Sequence, residues 1–252
     1  MNLNRKTLLI AAGVAFALTL IANIPASLLY LAFKPKDARA EVHGLQGAWT
    51  DGALSGISLN GRLVAQDLHW RLKPLHLLLG RVAVRLSGGG QIATLEGTVA
   101  SSLASKRLSG FRFAGGIKNL AAAAGYAYVP IDGQAGGELD KLVFTKDGLD
   151  TAEGSLEIKG LLWTLSRDPL LLGDFRAEFS TTPEAITAVI QSPSGPLEAS
   201  GSARLLPDQS YEVDILLKPK PGASELLLNY LRTLGAPDAA GNYHLRQRGK
   251  LS

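Results

Sequence analysis

Two serines, Ser55 and Ser58 of GALSGISLNG, four histidines and one closely spaced carboxylate pair are the residues here whose types could do chemistry. A serine nucleophile is lifted by a strained G-x-S-x-G elbow, and neither serine has that setting. Both read as turn and strand residues. A zinc site needs three or four converging ligands, commonly at short local spacing. His43, His69, His76 and His244 are scattered, and the chain has no cysteine to join them. The glycine-rich SGGGQ (87–91) lacks the Gly-Lys-Ser/Thr ending of a phosphate cradle and reads as a hairpin turn. Glu138 and Asp140, two apart, share a strand face and could form an acid–base pair, although a solvated face explains them. Trp49, Trp70 and Trp163 fall in alternating runs and suit a core or a groove lining. These residues imply no enzyme, no cofactor and no metal.

The elements that would position them are strands. Leu68, Trp70 and Leu72 alternate with Asp67, His69, Arg71 and Lys73. The same habit returns at Val82, Val84 and Leu86 against Arg81 and Arg85, and then at Phe175, Ala177 and Phe179. It continues at Leu197 and Ala199, at Tyr211, Val213 and Ile215, and at Tyr243 and Leu245. Period-two alternation marks antiparallel strands with one buried and one wet face. Turn signals separate the runs at 59–61, 87–90, 146–148, 192–195 and 206–210. The expected fold is therefore mostly β: an elongated, curved antiparallel sheet with one or two short helices.

One helix is expected within Ile117–Tyr128. Another is expected near 224–234, capped by Ser224 and ended by Gly235, with a final strand near 241–250. Pro74 cannot donate to a ladder and so marks a corner between strands. Leu75 to Leu79 should round it as a packed corner, with Gly80 admitting the next strand.

The N-terminus differs from the rest. Leu8 to Phe33 contains no charged residue. At about 1.5 Å per residue it spans roughly 39 Å, enough for a hydrocarbon core of about 30 Å. Its part before Pro25 still covers about 25 Å. A cleaved signal peptide ending at Ala38-Arg39-Ala40 is the competing reading, but typical signal cores hold only about 7–15 apolar residues. The sequence thus predicts a cytoplasmic tail (1–7), a retained transmembrane anchor (8–33), a linker (34–41) and a periplasmic β domain (42–252). Flanking charge does not fix that orientation, since Arg5 and Lys6 face Lys34, Lys36 and Arg39 across the span. It rests on large domains translocating largely regardless of such charges. The net charge of +4 is dispersed, unlike the concentrated patch of a nucleic-acid binder, so no nucleic acid is expected.

Three motifs carry a resemblance across nearly the whole chain. The first is a G-x-x-W-x-G-like opening with Gly44, Gly47, Trp49 and Gly52, where Thr50-Asp51 widens the spacing. The second is L-x-W-R-L-x-P-x-x-L-L-x-G-R, with Leu68, Trp70, Arg71, Leu72, Pro74, Leu77, Leu78, Gly80 and Arg81. The third is L-G-x-P-D-x-x-G-x-Y, with Leu234, Gly235, Pro237, Asp238, Gly241 and Tyr243. Together they resemble the type II secretion system protein N family. The resemblance implies an inner-membrane protein with a periplasmic domain, an accessory or scaffold part of the machinery exporting folded proteins through an outer-membrane secretin. Its partners would be other inner-membrane and periplasmic secretion components. The second motif also resembles AsmA-like proteins, anchored β-sheet proteins linked to envelope lipid handling. That alternative makes lipid a partner, and an uncovered apolar sheet face would favour it.

Overall fold

The computed structural model describes residues 19, 23–33, 40–59, 61–90, 93–123, 125–126, 128–165 and 168–250. Its main body is one antiparallel sheet of 14 strands, laid down almost strictly in sequence order. The short β1 (Ala40–His43) and β2 (Gln46–Gly47) both pair with β3 (Asp51–Leu59), which pairs in turn with β4 (Arg62–Leu72). A 3-10 helix, Pro74–Leu79, leads to β5 (Val82–Gly89), β6 (Ala93–Ser101) and β7 (Ser105–Gly116). Three helices with described bounds accompany the sheet: α1 (Ala26–Phe33), α2 (Ile117–Ala123) and α3 (Glu225–Arg232). Between α2 and α3 run β8 (Ile131–Thr145), β9 (Gly148–Trp163), β10 (Leu170–Thr181), β11 (Ile186–Ser194), β12 (Leu197–Leu205) and β13 (Ser210–Pro219). The last strand is β14 (Tyr243–Lys250).

The alternation becomes two facing surfaces once the register is known. From β3 to β12, aligned positions run Leu54, Leu68, Gly88, Leu95, Phe113, Gly137, Leu156, Ala177, Ile190 and Gly201. Ile215 and Leu245 finish that row on β13 and β14. The neighbouring row reads His69, Ser87, Glu96, Arg112, Glu138, Ser155, Glu178, Val189, Ser202, Asp214 and Arg246. One row is apolar and the other polar apart from Val189, because side chains alternate across the pleat. The polar row is cross-linked by Arg112–Glu138 at 2.6 Å and Arg246–Asp214 at 3.2 Å.

Hairpin connections define two ends of the sheet. One end, called here the corner end, carries the 3-10 helix and the turns at 102–104, 146–147, 182–185 and 206–209. The other carries α2 and α3. The sheet is curled, as one contact across strands requires. Gln209, in the β12–β13 turn, donates through Nε2 to the Leu149 carbonyl and accepts from the Leu149 N–H, both at 3.2 Å. Leu149 lies three strands away, about 14 Å in a flat sheet, beyond the reach of a glutamine side chain.

The core is concentrated at the helical end of the C-terminal half. Ser224 caps α3, its side chain accepting from the Leu227 N–H at 3.2 Å. The apolar stripe of α3 then lays Leu227 and Leu231 against Leu170, Leu197 and Tyr243. Leu227 is the one large side chain among the described residues left under 2% exposed. Most of the remaining apolar face is half-buried, as expected of a curled sheet without a second layer.

The structure alters several expectations. The corner after Pro74 is not packed: Leu75, Leu78 and Leu79 are 74%, 84% and 71% exposed. Ala83, on the wet face, is fully buried, while Val82, predicted to face inward, is 48% exposed. The Lys73 N–H adds one more rung to the β4–β5 ladder by donating to the Ala83 carbonyl, and the 3-10 helix that follows holds its leucines in solvent. Most of the predicted anchor lies outside the described residues. Its last eight residues form α1 after a break at Asn23–Pro25, and Pro25 bridges to Ala48. No helix among the described residues is long and apolar enough to cross a membrane. Strand β1 begins at Ala40, within the predicted linker.

Candidate functional site

Among the described residues no group of three or more His, Asp or Glu could hold a metal. His43 Nε2 and Ser58 Oγ lie 3.0 Å apart, the first requirement of a serine nucleophile. No described carboxylate hydrogen-bonds the other ring nitrogen of His43, so the dyad lacks the group that would orient its base. His69 is exposed, and Glu138 is held by Arg112. The candidate acid–base partner Asp140 is exposed beside a register shift between Leu139 and Lys141.

The motif residues instead build two structural units. In the first, Trp70 stands opposite Gly52 in the β3–β4 register. A Cβ on Gly52 would lie 2.3 Å from Trp70 Cζ2, so only glycine lets the indole lie flat across β3. The indole N–H donates to the Trp49 carbonyl at 3.0 Å, and the Leu72 N–H donates to the Thr50 carbonyl at 2.6 Å. Gly47 adopts φ +83, where a side chain would strike the Asp51 carbonyl. Leu72 is buried, Leu68 and Trp70 are half-buried, and Arg71 points to solvent, as the alternation predicts. The widened Trp49–Gly52 spacing thus forms the tight β2–β3 turn that receives the indole. Two further contacts attach the N-terminal segment here: the Trp49 N–H donates to the Ile24 carbonyl at 3.2 Å, and Pro25 pairs with Ala48.

Pro74 begins the corner helix, where its missing N–H leaves no gap, and Gly80 ends it at φ +65. Arg81 follows and is exposed. Arg71 reaches Asp51 at 2.9 Å with both side chains well exposed. Exposed pairs contribute little, so Arg71→Ala should cost no more than about 1 kcal/mol in denaturant titration.

The second unit is at the opposite end, and the fold does not bring the two together. Gly235 adopts φ +125 and releases the chain from α3. Pro237 is exposed, and Asp238 behind it organises the return to the sheet. Its carboxylate accepts from the Asn242 side chain, from the Asn242 and Ala240 N–H groups at 2.8 and 2.9 Å, and from His244 at 3.4 Å. These donors, the Asn242 side chain first, hold the Asp238 carboxyl at about 2. Gly241, at φ +82, then lets Tyr243 enter the core. Because the folded pKa lies below the usual value of about 3.9, the stabilisation is present above that value and fades as pH falls through 2. Asp238→Asn should therefore lose less stability than the parent between about pH 4 and pH 2, read by denaturant titration at each pH.

Sequence reasoning missed one grouping entirely. Beneath the corner helix a cavity of about 170 Å³ is lined by Lys73, His76, Arg81 and Arg107, with Thr98, Ser105 and other hydroxyls. No single stretch announces it, because its residues come from the corner and from the far ends of β6 and β7.

Residues 38–246 match the profile of the family described as Type II secretion system (T2SS), protein N. The matched span runs from before β1 well into β14. A curated relative named Type II secretion system protein N, from Vibrio cholerae serotype O1 (strain ATCC 39315 / El Tor Inaba N16961), is 25% identical over 242 residues. That alignment covers 92% of this chain and 93% of the relative. No solved structure matches.

Proposed function

The chain belongs to the type II secretion system protein N family, and on that premise we propose that it is a non-enzymatic scaffold or accessory assembly factor of type II secretion. In this reading residues 8–33 hold it in the inner membrane with a cytoplasmic N-terminus, and the sheet stands in the periplasm. Its partners are other inner-membrane and periplasmic components of the machinery. The observation that carries the reading is the family match across residues 38–246, the whole sheet in order. The molecular support is a sheet with two open edges. Strand β14 is the longer edge, with eight residues against four in β1, and an unpaired edge is suited to strand addition by a partner.

Deletion and complementation in a secreting Gram-negative strain test this. Loss of the chain should leave exported enzymes in the periplasm, and tagged full-length chain should capture other secretion components from solubilised membranes. Replacing residues 1–33 by a cleavable signal should abolish complementation. Normal secretion without the chain, with no secretion component recovered, would falsify the proposal.

A second reading, lipid handling of the AsmA-like kind, rests on one observation. The apolar face of the C-terminal half holds a groove of about 350 Å³ lined by Leu142, Ala152, Phe179, Ile186, Leu205 and Val213, among others. That is the small end of ligand-sized cavities, about 300–1,000 Å³. Near-stoichiometric acyl lipid in organic extracts of the purified chain, with secretion unaffected by deletion, would favour it.

A further inference from the structure

Around the corner the chain departs from its own rule for charge. Elsewhere most strand-face arginines, Arg204 excepted, are paired across strands: Arg71 with Asp51, Arg85 with Glu96, Arg112 with Glu138, Arg176 with Glu157 and Arg248 with Glu212. Lys73, Arg81 and Arg107 have no ion pair among the described residues, and no carboxylate lines the cavity they share. Lys73 Nζ donates only to Thr98 Oγ1, at 3.0 Å. His76 Nδ1 is buried with no hydrogen-bond partner. A cavity lined by cations and hydroxyls, with no anion supplied by the protein, is suited to an anionic ligand.

The corner helix that contributes His76 to this cavity also carries the exposed Leu75, Leu78 and Leu79, and Leu103 at the β6–β7 hairpin is fully exposed. Four large apolar side chains at one sheet end form a patch of the kind that marks an interaction surface. The apolar N-terminal segment joins the domain at this same end, through Ile24 and Pro25.

We propose that the cavity binds the phosphodiester of an anionic phospholipid, with Leu75, Leu78 and Leu79 set into the bilayer beside it. Lys73, Arg81 and Arg107 supply the charge, and hydroxyls such as those of Thr98 and Ser105 supply hydrogen bonds to the phosphate oxygens. The leucines then occupy the acyl boundary, as apolar side chains do at membrane interfaces. The membrane half of this inference rests on the anchored reading above. The headgroup half does not, and the corner becomes a second attachment that fixes the tilt of the sheet over the membrane.

Native mass spectrometry of the full chain in detergent tests the cavity, with phosphatidylglycerol, phosphatidylcholine and inorganic phosphate as probes. One phosphatidylglycerol should be retained in preference to phosphatidylcholine. Arg81→Gln and Arg107→Gln should each weaken retention roughly fivefold, the effect of about 1 kcal/mol per cation near an anionic surface. Equal retention of both lipids, or phosphate binding without lipid preference, would overturn the proposal. Because the chain has no cysteine, Leu78→Cys can carry a single environment-sensitive label, with Leu165→Cys at the opposite end as the control. In phosphatidylglycerol vesicles the label at 78 should shift to the blue and the label at 165, also an exposed leucine, should not. Aqueous emission from 78 in a chain that resists carbonate extraction would sink the corner and leave the anchor standing. Carbonate release with headgroup preference intact would do the reverse.

Discussion

Leu227→Ala is expected to cost about 2–5 kcal/mol, the range for emptying a fully buried leucine site. Leu227 joins α3 to three strand beginnings at once, Leu170, Leu197 and Tyr243, and partly buried Trp163 and Phe175 pack against that cluster. The sheet has no second layer, so few other residues can absorb the lost contacts. Leu234→Ala, just past the end of α3 and 43% exposed, should cost less than about 1 kcal/mol. Denaturant titration of the detergent-purified chain, followed by tryptophan fluorescence, separates the two because Trp163 borders the cluster. Similar losses for both would mean that α3 does not close the core.

Such a core could be anticipated in part. The Ser224 cap and the spacing of Leu227 and Leu231 depend only on local periodicity, and so does the placing of Leu68, Trp70 and Leu72 on one face. Pro74 marks the corner because its missing N–H is a local property. What alternation cannot carry is register. The apolar row from Leu54 to Leu245 and the ion pairs beside it exist only once each strand is set against the next. Leu75 to Leu79 misleads for a related reason. An apolar run usually reads as buried, whereas here the 3-10 helix leaves its leucines in solvent. The cation cavity is less legible still, because Arg81 and Arg107 are 26 positions apart and no spacing rule links them. The junction of Gln209 with Leu149, 60 positions apart, shares that difficulty.

Trp70→Ala should be the second severe change, at about 2–4 kcal/mol, below the cost for a fully buried tryptophan because the ring is half-buried. Two contributions can be separated by further substitutions. Trp70→Phe keeps most of the ring over Gly52 but removes the hydrogen bond to the Trp49 carbonyl, and should cost about 1 kcal/mol. Gly52→Ala keeps the bond donor but drives a methyl into the indole, 2.3 Å from Cζ2, so the ring must leave its seat. That displacement should cost nearly as much as deleting the ring. The two changes share part of their physical origin, so their effects should add to less than the sum: Gly52→Ala in the Trp70→Ala background should cost less than in the parent but not vanish, because the new Cβ would still meet the Gln46 carbonyl at 2.6 Å. A double-mutant cycle in the full chain reads this directly. Full additivity would mean that the Gln46 carbonyl, and not the indole, is what requires glycine at 52. The Ile24–Trp49 contact lies in the same turn, so loss of the indole should also loosen the N-terminal segment and raise proteolysis near residues 23–33. Cleavage there at an unchanged rate in Trp70→Ala would show that the turn and the segment are held independently.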